Sequence, residues 1–191
     1  ISTNPTNKTV AAGAAATFNV AAAGTVTGLQ WRKNNVNLSN GGNISGATTT
    51  TLTINNAQAG DAASYNAVVS NGAGPVNSTT VTLKVSPTIT LPPVGSTNLP
   101  GDTASFSVEA GGQADLIYQW RRNGTNLTNN FHVFGADEAT LELNLVNQDD
   151  EANYSVVVSN AAGVVTSAAV PLVEVREGDR VAAGAVLLRQ E

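Results

Sequence analysis

The stretch DAASYNAVVSN at residues 61–71 returns as DEANYSVVVSN at residues 150–160, 89 positions later. A repeat of this kind constrains folding strongly, because each copy must bury the same pattern in the same way. The match runs well beyond that stretch. At an offset of 88, Ile1, Pro5, Thr9, Gly13 and Phe18 fall on Ile89, Pro93, Thr97, Gly101 and Phe106. From Trp31 onward the offset is 89, since the second copy carries one extra residue between Val108 and Trp120. WRKNNVNLSN then meets WRRNGTNLTN, and Gly46-Ala47 meets Gly135-Ala136. The chain therefore reads as two copies of one unit, 1–86 and 87–175, with the seam in KVSPTI, followed by a C-terminal extension, 176–191.

Within each copy the apolar residues alternate. TFNV and SFSV set Phe18 with Val20, and Phe106 with Val108, on one face; LQW and YQW do the same for Leu29 with Trp31 and Tyr118 with Trp120. LTI, YNAVV and VTLKV continue the pattern in the first copy, and LEL, YSVVV and VPLVE in the second. A period of two marks half-buried strands. The segments NGAG, NAAG, SNGGN and AAAG between them are built of turn formers. Charged residues are only 12% of the chain and aromatics number nine, so Thr, Asn, Ser and Gly must supply the polar surface. That mixture suits many short strands rather than long helices. About seven strands in a unit of this size read as an antiparallel sandwich. The expected fold class is all-β: two tandem β-sandwiches plus a short C-terminal strand or hairpin.

These residues give each copy a resemblance to the immunoglobulin-like domain of the intermediate set. The Trp of the third strand lies 11 or 12 residues after the xFxV strand, and a D-x-A-x-Y motif precedes the sixth. The resemblance covers residues 1 to about 175 and implies that Tyr65 and Tyr154 form tyrosine corners, with Asp61 and Asp150 four residues earlier. It also implies that the family's two core cysteines would fall at Val20 and Ala67, and at Val108 and Val156. The chain has no cysteine. Packing around Trp31 and Trp120 must then replace a bond that typically contributes about 2–4 kcal/mol. In being cysteine-free and rich in Ala, Thr and Asn, the copies are similar to bacterial versions found in long secreted or surface-attached proteins.

The chemistry-bearing residues offer little for catalysis. A hydrolase needs a nucleophile with an oriented base, and the single histidine, His132, aligns with Asn43 in a loop of Asn and Gly. It reads as a loop residue. Carboxylates gather at Asp137-Glu138 and at Asp149-Asp150-Glu151, a pattern open to glycoside chemistry or to calcium. The first copy has Thr48-Thr49 and Gly60-Asp61-Ala62 there, however, and the spacing of a calcium loop is missing. A solvated acidic face is the simpler reading. The threonines of ATTTTLT are strand material, because the aligned ADEATLE breaks any regular array. Seven Asn-x-Ser/Thr matches, beginning at Asn7, Asn37, Asn43, Asn77, Asn123, Asn126 and Asn153, matter only where the source glycosylates. Phe131 and Phe134, in NNFHVFG, replace Gly42 and Ser45. They are either a contact for a partner or neighbouring domain, or a local loop core.

No catalytic, cofactor-binding or metal-binding residue is expected. The tail VREGDRVAAGAVLLRQE does not continue the repeat and reads either as an extra hairpin or as a segment similar to half of a biotinyl/lipoyl-like hammerhead, without that family's modifiable Lys. Lacking an initiating Met, the chain reads as a processed product or an excerpt, which leaves room for an export signal or anchor outside it. Charge is divided. Residues 1–86 carry Lys8, Arg32, Lys33 and Lys84 against Asp61, a net +3, whereas residues 87–175 carry ten acids against Arg121 and Arg122, a net −8. That balance argues against nucleic acid as a partner, and no apolar run is long enough to insert in a membrane. The expected role is a non-catalytic structural or adhesive segment of a bacterial extracellular or cell-surface protein. Its partners would be neighbouring copies, adjacent domains, or surface glycans and proteins, with head-to-tail filaments as one form of assembly. The alternatives are an accessory binding module of a secreted polysaccharide-acting enzyme and, from the tail alone, a piece of a periplasmic adaptor.

Overall fold

The computed structural model describes residues 1–175. The tail, with its hairpin and hammerhead readings, lies outside the described residues. The first copy contains nine strands: β1 Lys8–Ala11, β2 Ala16–Asn19, β3 Gly28–Lys33, β4 Val36–Asn37, β5 Ile44–Ser45, β6 Thr51–Ile54, β7 Ala63–Asn71, β8 Gly74–Asn77 and β9 Val81–Ser86. One sheet runs β1-β9-β7-β3-β4, with β8 beside β7, and the facing sheet runs β2-β6-β5. Alternation produces the burial: β6 hides Leu52 and Ile54, and β9 hides Val81, Leu83 and Val85, while the residues between face outward.

The second copy repeats the plan. It comprises β10 Thr88–Leu91, β11 Ser96–Asn98, β12 Ala104–Ser107, β13 Glu109–Gly111, β14 Ile117–Arg122, β15 Thr125–Asn126, β16 Val133–Phe134, β17 Thr140–Leu143, β18 Ala152–Asn160, β19 Gly163–Thr166 and β20 Val170–Glu174. Its sheets run β11-β20-β18-β14-β15, with β19 beside β18, and β12-β17-β16, while β10 pairs with β13. Among the described residues helical structure is limited to two short 3-10 turns, Ala59–Asp61 and Gln148–Asp150, which lead into the long strands β7 and β18.

The sandwiches are not antiparallel throughout. β1 runs parallel to β9, and β11 parallel to β20. In both copies the leading segment first bridges the smaller layer, through Thr3 and Ala21 or through β10 and β13, and then joins the last strand of the other sheet. Prolines mark the change, Pro5 in the first copy and Pro92-Pro93 in the second. Proline has no N–H to donate to a ladder, so pairing lapses there and the chain can pass to the other sheet.

By spatial clustering the chain divides into two compact units, one of Ile1–Leu91, Glu109–Tyr118 and Val157–Thr166, the other of Pro92–Val108, Gln119–Val156 and Ser167 onward. Inside the first unit the amide of Asn160 donates to the carbonyls of Val85 and Gln113, each at 3.0 Å. The Gln113 side-chain oxygen accepts from Val85 N at 2.9 Å.

Each copy has a ring stack at its centre. Phe18 stacks on Tyr65 at 5.2 Å and lies 6.2 Å from Trp31; Phe106 stacks on Tyr154 at 5.0 Å and lies 6.2 Å from Trp120. Both indoles are fully buried, as are Ala67 and Val156, and Val20 and Val108 are nearly so. Each indole N–H still finds a partner, Trp31 Nε1 donating to Thr49 O and Trp120 Nε1 to Glu138 O, both at 2.9 Å. A buried tryptophan so bonded contributes its whole apolar area without stranding a donor.

Candidate functional site

The side chains capable of chemistry converge on one end of each sandwich, where the 3-10 turn meets the long strand. The turn is closed by its own aspartate, Asp61 Oδ2 accepting from Gln58 N and Asp150 Oδ2 from Asn147 N. Four residues on, Tyr65 Oη donates to Asp61 O and Tyr154 Oη to Asp150 O, both at 2.8 Å. Burial raises both phenols. Tyr154 is pushed up to about 12 by burial, with Arg122 opposing and Asp150 adding to the rise. Tyr65 moves up through burial and then through the Asp61 carboxylate.

His132 lies in the loop before β16 and is tied to the corner. Its Nε2 lies 2.8 Å from Asp150 Oδ1, and only 9% of the Asp150 side chain is exposed. In the first copy Asn43 Nδ2 donates to Asp61 Oδ2 at 2.9 Å. His132 thus fills the position of Asn43 in bracing the corner aspartate. The alignment with Asn43 was the available signal, but it points to Asp61 only once the loop is seen against the turn. Asp150 is occupied on both oxygens by structural partners, Oδ1 by the imidazole and Oδ2 by Asn147 N.

The other carboxylates are similarly engaged or exposed. Asp137 accepts from Asn129 Nδ2 at 2.7 Å, Glu151 Oε1 accepts from Glu174 N at 3.2 Å, and Asp149 is exposed. Among the described residues no three His, Asp or Glu side chains gather in a way that would hold a metal. Lys33 donates to Gly60 O at 2.6 Å and lies 3.7 Å from Asp61. Arg122 takes the place of Lys33 in the second copy, and its buried Nε lacks a hydrogen-bond partner among the described residues. Thr51 and Thr53 lie on β6 facing Asn19 and Thr17 of β2, and Thr51 Oγ1 is spent on Asn19 Oδ1 at 2.8 Å.

Phe131 and Phe134 separate. Phe134 is 43% exposed on β16, while Phe131 is 93% exposed on the loop before it. That loop is held firmly: Asn130 Oδ1 accepts from His132 N and Val133 N, and Asn130 N donates to Val133 O. Sequence reasoning passed over Leu145, which is 72% exposed and sits in the left-handed region with φ 56°. Alignment of its position with Asn56 was the only hint.

Two facing sheets, a buried Trp on the third long strand and a Tyr bonded back to its turn define an immunoglobulin-type β-sandwich, present twice. The immunoglobulin I-set domain family matches residues 1–85, and the immunoglobulin domain family matches residues 86–160. The chain belongs to the immunoglobulin family as a tandem pair of domains. It is 38% identical over 172 residues to the muscle M-line assembly protein unc-89 of Caenorhabditis elegans, covering 84% of this chain and 2% of that protein. It is 28% identical over 148 residues to the tyrosine-protein kinase-like otk of Drosophila ananassae, covering 71% of this chain and 14% of that one. The chain thus spans a small fraction of the curated relatives' length. Extracellular domains 3–5 of Drosophila OTK superpose with a TM-score of 0.58 at 24% identity, covering 91% of this chain and 60% of that one. The insect immune protein hemolin superposes with a TM-score of 0.65 at 16% identity, covering 90% and 46%. These likenesses show the fold. The relatives are animal proteins and lend the expected bacterial origin no support.

Proposed function

We propose that the chain is a non-catalytic structural and adhesive repeat segment of an extracellular or cell-surface protein, associating with neighbouring copies of itself or adjacent domains. The observation that carries this reading is the duplicated use of the polar groups. Asp61 and Asp150, Tyr65 and Tyr154, and Asn43 and His132 make matching fold-holding bonds at matching positions. Residues so committed twice over serve stiffness, not turnover. Similarity to a muscle M-line assembly protein and to OTK, whose extracellular domains share this fold, supports a load-bearing or surface role. A bacterial source rests on the cysteine-free composition alone. In this reading the repeat limits are 1–86 and 87–175. Trp31, Trp120, Tyr65, Tyr154, Val20, Ala67, Val108 and Val156 are its packing set, and Phe131 and Phe134 its contact residues.

Pulling the full chain from its two ends in a single-molecule force experiment tests the reading. Two separate unfolding events are expected, each releasing about 30 nm of chain at roughly 3.4 Å per residue. Extension without resistance would overturn a load-bearing role.

A further inference from the structure

Inside the first unit the end of β9 is gripped by groups of the second repeat. Gln113 N and Asn160 Nδ2 both donate to Val85 O at 3.0 Å, and Val85 N donates to Gln113 Oε1 at 2.9 Å. Asn160 is aimed by its own turn, its Oδ1 accepting from Ala162 N and Gly163 N. Beside it the chain closes up. A Cβ at Gly112 would meet Pro87 Cα at 3.0 Å, and one at Gly163 would meet Ser86 Cβ at 3.0 Å. The segments that do this, 109–118 and 157–166, correspond by the repeat to residues 21–29 and 68–77. The first copy presents the same parts to solvent. Asn71 stands for Asn160, and its Oδ1 accepts from Ala73 N at 2.9 Å, which leaves the amide nitrogen facing outward. Gly24 and Gly74 stand for Gly112 and Gly163, and a Cβ on either would meet nothing within 4 Å. Asn71 is exposed where Asn160 is half-buried, and Val76 is 54% exposed where Val165 is half-buried.

We infer that this end of the first sandwich is a receptor for the C-terminal end of the last strand of another immunoglobulin sandwich, one ending in Val-Ser-Pro or its like. The chain itself displays the occupant, because the sister surface is covered by Val85, Ser86 and Pro87 at the end of β9. A shallow depression lined by Ile1, Ala22, Thr25, Val26, Asn71 and Val76 receives it. Asn71 offers its amide hydrogens to the strand's carbonyl, as Asn160 does. Thr25, exposed at the position of Gln113, has a hydroxyl able to accept the strand's N–H. Ile1, Val26 and Val76, 37%, 44% and 54% exposed, supply apolar area to cover. Gly74 and Gly24 leave room for a small residue and a proline against the backbone. The chain's own β20 ends in Glu174-Val175, followed by Arg176, and so fits less well than a strand ending like β9.

The inference rests on the structural and adhesive reading and names a partner for it. It fails separately, since the pulling experiment reads resistance and not this surface. The test lengthens the full chain by a further copy of residues 1–88 placed ahead of Ile1. Ile1 then follows Thr88 as Ile89 does, and a Val-Ser-Pro strand end stands in register. Near-ultraviolet circular dichroism, which should rise with the added indole, checks that the added sandwich folds. Hydrogen exchange at residues 22–26 and 70–76 is the readout, and it is expected to slow at least about 10-fold on lengthening, the effect of one or two hydrogen bonds. Asn71→Asp keeps the acceptor for Ala73 N and removes the donors. It should restore fast exchange in the lengthened chain and change nothing in the original one. Exchange that does not slow, or that stays slow in Asn71→Asp, would overturn the inference. Exchange that slows with concentration in the original chain would overturn the choice of occupant, seating a second copy's β20 there. Asn160→Asp in the original chain tests the premise by itself. Exchange at Val85 and Gln113 should quicken by a like factor, and no change there would overturn the inference whatever the added sandwich does.

Discussion

Tyr65 and Tyr154 carry their hydroxyls into the core on fully buried rings and spend them on the Asp61 and Asp150 carbonyls. The position makes ionisation costly, which ties stability to pH in a defined direction. An unfolded tyrosine ionises near pH 10, whereas burial holds Tyr154 protonated up to about 12. Below pH 10 both states keep the proton and the contribution is fully present. As pH rises from about 10 to about 12 the unfolded chain releases protons that the folded one retains, so stability falls by about 1.4 kcal/mol per pH unit for each such tyrosine. Tyr154→Phe should cost about 1 kcal/mol at pH 8, where only the hydrogen bond is lost, and should flatten the alkaline decline of the second domain. Denaturant titrations at pH 8 and pH 11 on the intact chain and the variant would check this, and parallel declines would contradict it.

At the scale of elements, the turn before β6 and β17 shows how two small residues set a core. Gly46 and Gly135 have φ of 78° and 69°, and a Cβ at either would collide with the carbonyl of Thr51 or Thr140. The adjoining Ala47 and Ala136 offer their carbonyls to Trp31 N and Trp120 N, at 2.8 Å in each case. Gly124 has φ of 82° but open space around its missing Cβ, so it isolates the backbone cost. Gly135→Ala should therefore destabilise clearly more than Gly124→Ala, which should lose about 1 kcal/mol. Each kcal/mol lowers the melting temperature of a domain this size by about 4–8 °C, so calorimetry on the full chain can rank the two. Much of this layer was legible beforehand. Alternation in TFNV, LTI and VTLKV showed the strands, and register between the copies showed that the fold occurs twice. The parallel pairing of β1 and β11 was not, because a proline shows where a ladder lapses but not which sheet the chain joins next. The bond from His132 to Asp150 was hidden by a separation of 18 positions and the turn that folds them together. Leu145 was hidden by its own type, since nothing about leucine suggests a left-handed backbone.

Across the whole molecule charge is divided, and salt can read what the division does. Residues 1–86 carry a net +3 and residues 87–175 a net −8. In the proposed adhesive role, unlike domains of two copies attract and like domains repel. Exposed charges act over about 8 Å at physiological salt, so they govern encounter more than escape. Raising salt from 0.05 to 0.5 M should thus slow association of two copies several-fold with little change in dissociation. Stopped-flow light scattering of concentrated and diluted chain can resolve both rates. If salt instead accelerated dissociation and left association as it was, the charges would belong to the contact itself and not to the approach.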